Sequence, residues 1–454
     1  MGLFGTFGMR ALVGKDLTPE LVCKIGAAFG TFLGEDKTVI IGRDARLSGE
    51  MLESAVISGL VSVGCSAVSI GVVPTPCVQF AVKNLGADGG VVITASHNPP
   101  EYNGIKLLDN YGIGISKEEA EPIEEILVEN KFYRAPWDKI GKITNINFLD
   151  TYNKTIIKLI NKDLIEKAKL KVIVDPGNGT TCFTTPYLLQ KLGCEVVTIN
   201  SQLDGTFPGR DSEPTSENLK NLSKAIRATG SDIGIAHDGD GDRCVIVDED
   251  GNVLSGDRTL AILTHYFLEK NPSKTVVTTV ATSQVIDDIA KNFGSKVIKT
   301  KVGDVYVSKV LKEINGYIGG EENGGVIYPD FVFGRDGSFA ACKIIEIMAQ
   351  EKIPLSKLNE KFPKYYQIKE KMVCPPELKL KVVEKVKKEL ESLGKLDLTD
   401  GVKLVINKSW LLIRFSGTEP LVRVFCESPT ENEANELIKL GIQTVKNALK
   451  VTNS

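Results

Sequence analysis

The sequence predicts an α/β protein with three similar mixed-sheet α/β domains and a smaller C-terminal α+β domain around a central cleft. Its 454 residues are too many for one hydrophobic core and indicate roughly three or four domains. β-Branched strands alternate with amphipathic helices, and this pattern restarts twice along the chain. Residues 370–454 instead contain short strands joined by tight turns.

The first unit shows the alternation most clearly. A β-branched strand at 37–41 is followed by a segment with helical spacing at 50–63 and by strands at 67–70 and 90–93. Strands that alternate with helices predict a parallel or mixed sheet covered by helices. The pattern restarts with strands at 170–174 and 274–279, which predicts a second and a third unit.

The C-terminal segment predicts a different architecture. A Lys/Glu-rich helix at 377–393 precedes strands at 402–406, 409–415 and 421–427, and a last helix covers 432–449. Strands joined by tight turns favour an antiparallel sheet. The expected domains are therefore 1–150, 151–254, 255–369 and 370–454.

Composition excludes several classes of protein. The net charge is −3 without a basic tail or stripe, so nucleic-acid binding is not expected. No apolar run has the length of a membrane span, and no signal peptide is visible, so a cytoplasmic protein is expected. The nine cysteines form no CxxC pair, which argues against zinc and a disulfide framework.

The arginines indicate a phosphorylated ligand. Of the eleven, nine lie in or beside loops rich in Gly, Ser or Asp. A guanidinium fork suits phosphate or carboxylate, whereas lysine would suffice for solubility. For any one arginine, a structural pair with a nearby aspartate is an equal alternative.

The stretch His237-Asp-Gly-Asp-Gly-Asp-Arg243 is the strongest signal, because it places three carboxylates at alternate positions between two apolar strands. Glycines allow Asp238, Asp240 and Asp242 to converge, and converging carboxylates call for a cation such as Mg²⁺. An EF-hand would need glycine where Arg243 stands and helices on both sides. A solvated acidic turn without metal is the other alternative.

Three further loops carry polar groups. Thr94-Ala-Ser-His-Asn-Pro-Pro100 ends an apolar strand, so its serine is either a nucleophile or part of a simple turn, and a lysine at 106 follows within reach. The loop 319–325 suits sugar hydroxyls, and 414–420 with Arg423 suits a phosphate, although an ordinary loop and a hairpin are alternatives. These four segments together predict a cleft shared by four domains.

In order along essentially the whole chain, these motifs resemble the α-D-phosphohexomutase superfamily. The matching stretches are 5–10, 42–48, 94–99, 208–219, 238–243, 321–323 and 414–420. The resemblance implies that Ser96 is phosphorylated and that the phosphoryl group passes to a sugar phosphate, which reorients as a bisphosphate before it returns a phosphate to Ser96. It also implies catalytic and metal-binding residues: Ser96, Lys106, His97 and Arg10 for catalysis, with Lys106 preferred over His97 as general acid/base, and Ser96, Asp238, Asp240 and Asp242 for Mg²⁺.

The substrate-binding residues follow from the same resemblance. They are Arg243, Gly303, Asp304, Glu321, Asn323, Arg414, Ser416, Gly417, Thr418 and Arg423. Asn323 stands where glucose and mannose enzymes usually have serine and is similar to acetylglucosamine-phosphate mutases, which leaves the sugar open. The resemblance implies a phosphosugar substrate, a sugar 1,6-bisphosphate activator and a monomer or homodimer. A Mg²⁺-dependent sugar phosphatase and a non-catalytic sugar-phosphate-binding protein are the alternatives.

Overall fold

A computed structural model describes residues 3–5, 7–415 and 420–452, which form four β-sheets in chain order, each with helices packed against it. The first three sheets contain both parallel and antiparallel strand pairs, whereas each pair in the fourth is antiparallel. The predicted fold class is confirmed.

The first domain has a six-stranded sheet of order β1-β5-β4-β2-β3-β6. Its strands are β1 (Met9–Leu12), β2 (Thr38–Arg43), β3 (Ser66–Val72), β4 (Gly89–Ile93), β5 (Tyr102–Leu108) and β6 (Ile143–Asn145). Its helices are α1 (Pro19–Leu33), α2 (Gly49–Ser62), α3 (Thr75–Leu85) and α4 (Lys117–Val128). All five residues of β4 are buried, as expected for a strand covered on both faces.

The second domain has a four-stranded sheet of order β10-β9-β7-β8. Its strands are β7 (Lys171–Asp175), β8 (Glu195–Thr198), β9 (Ile233–Ala236) and β10 (Val245–Val247). Its helices are α5 (Leu149–Lys158), α6 (Lys162–Ala168), α7 (Thr185–Lys191) and α8 (Lys220–Thr229), with a 3₁₀ turn at Thr180–Phe183. The antiparallel pair β9 and β10 forms a hairpin whose loop carries the three aspartates.

The third domain has a five-stranded sheet of order β12-β11-β13-β14-β15. Its strands are β11 (Val276–Thr279), β12 (Val297–Thr300), β13 (Ile318–Gly320), β14 (Val326–Tyr328) and β15 (Val332–Arg335). Its helices are α9 (Gly256–Lys270), α10 (Val285–Asn292), α11 (Asp304–Glu313), α12 (Gly337–Glu351) and α13 (Leu355–Glu360). The candidate sugar loop connects β13 to β14.

The C-terminal domain has a five-stranded antiparallel sheet of order β16-β20-β19-β18-β17. Its strands are β16 (Tyr366–Val373), β17 (Lys395–Asp397), β18 (Val402–Ile406), β19 (Ser409–Phe415) and β20 (Leu421–Ser428). A 3₁₀ turn at Pro376–Leu378 leads into α14 (Lys379–Glu391), and α15 (Glu431–Thr452) is the last helix.

One hydrophobic cluster extends through the first three domains and another lies within the fourth, while a small cluster of Val280, Ala281, Trp410 and Leu412 joins the third domain to the fourth. Phe80 on α3 contacts the rings of Phe148, Tyr152 and Phe331, with centroid distances of 5.0–6.1 Å. Because these rings come from three domains, burying them fixes the domains relative to one another. None of the described helices is long and apolar enough to cross a bilayer.

Candidate active site

Ser96 lies in the loop between β4 and β5 and is fully buried. Its Oγ donates a hydrogen bond of 2.9 Å to Asp238 Oδ2. Its backbone has φ 52°, a left-handed conformation that costs a non-glycine residue roughly 1 kcal/mol. The Ser96 backbone N–H also donates a hydrogen bond of 2.8 Å to Thr94 Oγ1. Together with the bond to Asp238, it holds a strained serine in one orientation.

Arg46 holds this loop from behind. Its buried guanidinium donates to the carbonyl oxygens of Ser96 (3.1 Å), Asn98 (2.6 Å), Pro99 and Tyr102. Asp44 accepts from Arg46 Nε and from the Thr94 hydroxyl. Arg46 therefore forms the structural pair with a nearby aspartate that was the alternative to a phosphate contact, and Arg210 does the same with Asp175 at 3.0 Å. Arg258 is structural in another way, since it binds Asn359 and backbone carbonyl oxygens of 359–363.

The β9–β10 hairpin loop lies directly against the serine loop. A Cβ at Gly239 would lie 2.7 Å from Ser96 O, so this close approach requires glycine. Ligand atoms of Asp238, Asp240 and Asp242 all lie within 4.8 Å of one another. The two flanking strands exclude an EF-hand, which has flanking helices, and the burial of all three aspartates excludes a solvated turn.

The electrostatics of this loop suit a cation. Burial, together with the charges of Asp242 and Asp240, raises the pKa of Asp238 well above its ordinary value. Burial opposes the ionisation of Asp240, but the charge and hydrogen bond of Lys106 outweigh it and lower that pKa. Asp240 Oδ1 and Asp242 Oδ1 are buried and have no hydrogen-bond partner among the described residues. Unsatisfied carboxylate oxygens at this spacing fit a divalent metal.

Lys106 on β5 is fully buried beside the same loop. Its Nζ donates to Asp240 Oδ2 at 2.7 Å and lies 4.7 Å from the centre of the Phe7 ring. Thr75, at the start of α3, donates its hydroxyl to the same oxygen at 2.6 Å. Thr75 is not among the predicted site residues, because a threonine between two prolines is typical of a helix start.

His97 is held as a neutral acceptor. Arg243 Nη2 donates to His97 Nδ1 at 2.9 Å, and Ser96 Oγ lies 3.3 Å from the same nitrogen. The charge of Arg243, followed by burial and by Arg10, lowers the pKa of His97 far below its ordinary value. Because the lone pair of His97 Nδ1 accepts the hydrogen bond from Arg243, His97 is poorly placed to carry protons. Burial also lowers the pKa of Arg10, which donates to Asn98 Oδ1 at 3.2 Å.

The candidate sugar-loop residues lie in the third domain. Glu321 Oε1 accepts from the Gly303 N–H at 3.0 Å, and burial raises the pKa of Glu321 to about 7. Asp304 begins α11 next to Gly303 and lies near Arg335, with 3.5 Å between its Oδ2 and Arg335 Nε. Asn323 Oδ1 accepts from the Gly325 N–H at 3.0 Å, so this oxygen shapes its own loop.

The candidate phosphate loop is only partly described. Arg414 on β19 pairs in register with Arg423 on β20. Arg414 Nε donates at 2.5 Å to Asp400 Oδ2, which also accepts from the Val302 N–H at 2.9 Å. Ser416, Gly417 and Thr418 lie outside the described residues.

Comparison with known proteins identifies the family. Profiles described as phosphoglucomutase/phosphomannomutase α/β/α domains I, II and III match residues 1–134, 150–251 and 255–366, and the corresponding C-terminal domain matches 376–439. A phosphoglucomutase/phosphomannomutase of Thermococcus kodakarensis is 48% identical over 453 residues and covers 99% of both chains. The chain belongs to the phosphoglucomutase/phosphomannomutase family.

Other relatives support this membership. A probable phosphoglucosamine mutase of Methanopyrus kandleri is 42% identical and covers 96% of this chain and 95% of its own. A crystal structure of a family protein from Burkholderia thailandensis superimposes with a TM-score of 0.87 at 28% identity, covering 98% of this chain and 97% of that chain. The resemblance to the α-D-phosphohexomutase superfamily, whose mutases are isomerases, is confirmed.

Proposed function

We propose that this phosphohexomutase interconverts hexose 1-phosphates and 6-phosphates through phosphorylated Ser96 and a bisphosphorylated sugar. The observation that carries the proposal is the contact between Ser96 Oγ and Asp238 Oδ2 at 2.9 Å, inside a buried cluster of three carboxylates. A nucleophile beside a cation site is the arrangement that phosphoryl transfer needs. The relatives are named as mutases, and nothing in the comparisons supports a phosphatase or a non-catalytic binding protein.

Asp238, Asp240 and Asp242, with an oxygen of the serine phosphate, would hold Mg²⁺. The buried oxygens of Asp240 and Asp242 that lack a hydrogen-bond partner among the described residues support this assignment, and the family is Mg²⁺-dependent. A bound Mg²⁺ supplies positive charge that stabilises the transferring phosphoryl group.

The chain's own groups supply the proton transfers and the orientation. When a sugar hydroxyl attacks the serine phosphate, the Oγ–P bond breaks, a new P–O bond to the sugar forms, and the general acid/base group takes the hydroxyl proton and passes a proton to the departing Ser96 Oγ. We assign the role of general acid/base to Lys106, because it is buried beside Asp240, whereas His97 Nδ1 already accepts a hydrogen bond from Arg243. Arg10 and Arg243 would steady the serine phosphate.

The sugar must bind in two orientations for both transfers to occur. Gly303, Asp304, Glu321 and Asn323 would contact its hydroxyls. The phosphate that is not reacting would lie in a cradle that the C-terminal domain supplies through Arg414, Ser416, Gly417, Thr418 and Arg423. Both arginines project from adjacent strands of one sheet, which supports a shared grip.

The remaining features stay predictions. The substrate is a phosphosugar, with an amino sugar among the candidates because of Asn323 and the phosphoglucosamine mutases among the relatives. A sugar 1,6-bisphosphate would prime Ser96. We further propose a cytoplasmic monomer or homodimer that binds neither nucleic acid nor membrane, with domains at 1–150, 151–254, 255–369 and 370–454.

Labelled phosphate transfer tests the proposal. Incubation with glucose 1,6-bisphosphate labelled with ³²P should label the wild-type protein on Ser96, and glucose 1-phosphate should then remove the label as sugar bisphosphate. Ser96→Ala should take up no label and lose mutase activity by at least about 10⁴-fold. Release of inorganic phosphate in proportion to substrate loss would indicate a phosphatase instead. Parallel assays with glucose, mannose and glucosamine phosphates would rank the sugars.

A further inference from the structure

Arg335 touches two loops of the candidate site but was not among the predicted site residues. It ends strand β15, and only 6% of its side chain is exposed. Its Nη2 donates to Asp242 Oδ2 at 2.5 Å, and its Nη1 donates to Glu321 Oε2 at 2.6 Å. Its Nε lies 3.5 Å from Asp304 Oδ2. One guanidinium thus joins the aspartate hairpin of the second domain to the sugar loop of the third.

The surrounding chain makes room for this side chain. A Cβ at Gly325 would lie 2.0 Å from Arg335 Cδ, so the arginine can cross the sugar loop only where that loop has glycine. Lysine could replace it only in part, because three separate guanidinium nitrogens face the three carboxylates, whereas all the donors of an ammonium group lie on one nitrogen. The contacts of Arg335 therefore depend on the glycine at position 325.

The two oxygens of Asp242 have different environments. Oδ2 binds Arg335, whereas the buried Oδ1 has no hydrogen-bond partner among the described residues and lies with the other aspartates of the hairpin. Holding one oxygen fixes the orientation of the other. Glu321 is fixed in the same way, between Arg335 on one oxygen and the Gly303 N–H on the other.

We infer that Arg335 is a positioning residue that couples the metal loop to the sugar loop. Arg335 orients Asp242 Oδ1 toward the proposed metal site. It also fixes the position of Glu321, and with it the Gly303 N–H, relative to Asp242. The sugar is therefore held in register with the reacting phosphate in both of its orientations. Metal binding and sugar binding would then depend on one another through this side chain. The inference rests on the proposed metal role of Asp242.

Mn²⁺ binding, followed by the electron paramagnetic resonance signal of the free ion, tests the inference without any turnover. Wild type, Arg335→Met, Arg335→Lys and Arg258→Met should be compared with Ser96 in the same phosphorylation state, checked by mass spectrometry. We expect Arg335→Met to weaken Mn²⁺ binding about tenfold, Arg335→Lys to lie between it and wild type, and Arg258→Met to match wild type. Arg258 is the matched control because it is a half-buried arginine of the same domain that binds residues 359–363.

A second measurement separates coupling from a purely structural role. The affinity for glucose 1-phosphate is measured with and without saturating Mn²⁺, and the ratio of the two affinities is the coupling factor. In Arg335→Met this factor should fall toward one. If the Arg335 variants do not fold, Glu321→Gln serves instead: it weakens one of the contacts that hold the guanidinium, so Asp242 Oδ1 is oriented less firmly and Mn²⁺ binding should weaken about threefold.

The outcomes distinguish this inference from the proposed function. Wild-type protein that binds no Mn²⁺ would overturn the metal assignment and the inference together. Wild-type binding with equal Mn²⁺ constants in all variants, or an unchanged coupling factor in Arg335→Met, would overturn the inference alone.

Discussion

The junction between the first and second domains differs in kind from the junction between the third and fourth. At the first, the bonds converge on one reactive loop: Thr75 and Lys106 both bind Asp240, and Ser96 binds Asp238. At the second, the bonds are spread along the sheet. Gln284 N–H donates to Glu427 at 2.7 Å and Lys403 donates to Val280 O at 2.6 Å, beside Trp410 and Leu412.

This difference indicates a division of roles. At the first junction the contacts between domains are made by the groups proposed to react, so a small change there alters both chemistry and packing. At the second junction the bonds named above join residues that are not proposed to react, and Asp400 connects Val302 of the third domain to Arg414 of the fourth. We therefore expect changes at the first junction to abolish turnover and changes at the second to alter substrate affinity or stability.

Asp240→Asn should have the largest effect. It removes the charge that pairs with Lys106 and with the proposed metal, so kcat should fall by about 10³-fold or more, which is about 4 kcal/mol of transition-state stabilisation. Steady-state assays over a range of Mg²⁺ concentrations would measure it.

Asp250→Asn is the matched control, because Asp250 is exposed in the turn just beyond the same hairpin. It should keep wild-type kinetics. An Asp240→Asn enzyme within tenfold of wild type would remove the distinction between the two junctions.

Arg46→Met should have the next largest effect, and it acts on stability as well as activity. It leaves Asp44 buried without its cation and the carbonyl oxygens of the serine loop without donors. Breaking a buried ion pair in this way should cost about 3 kcal/mol. Thermal unfolding with and without sugar phosphate would measure the loss, and an unchanged Tm would show that the loop does not depend on this arginine.

Local patterns were enough to predict about half of the strands that the described residues form. The strands 402–406 and 409–415 lie where the structure has β18 and β19, because aliphatic runs flank a tight turn. Strand β5 was missed, because Asn103-Gly104 reads as a turn. In the structure Gly104 instead lets β1 approach, since a Cβ there would lie 2.4 Å from Met9 O.

The positioning residues could not be predicted from local pattern. Thr75 is 165 residues from Asp240, and Arg335 is 93 residues from Asp242. Their function is created by the way the domains pack and leaves no local signal. The aspartates and Ser96 stood out because their own loops carry the unusual residue types.

Lys403→Met should have the smallest effect, since it acts only at the second junction. Unlike the changes above, it should raise the stability of the protein. Burial lowers the pKa of Lys403 from 10.5 to about 8. At pH 7 the native state therefore bears the cost of a buried charge, about 3 kcal/mol at most at 1.36 kcal/mol per pKa unit. The bond to Val280 O and the contact with the Trp410 ring offset part of it. We expect the variant to be more stable by about 1 kcal/mol at pH 7.

The pH dependence identifies the cause. Between pH 8 and 10.5 the unfolded chain binds more protons at this lysine than the native state, so wild-type stability rises with pH relative to the variant. The advantage of Lys403→Met should therefore shrink as the pH is raised from 8 to 10, with kcat unchanged at pH 7. Thermal unfolding at several pH values would measure it. A constant difference would mean that Lys403 is not a buried charge, and a loss of turnover would mean that the second junction also governs the chemistry.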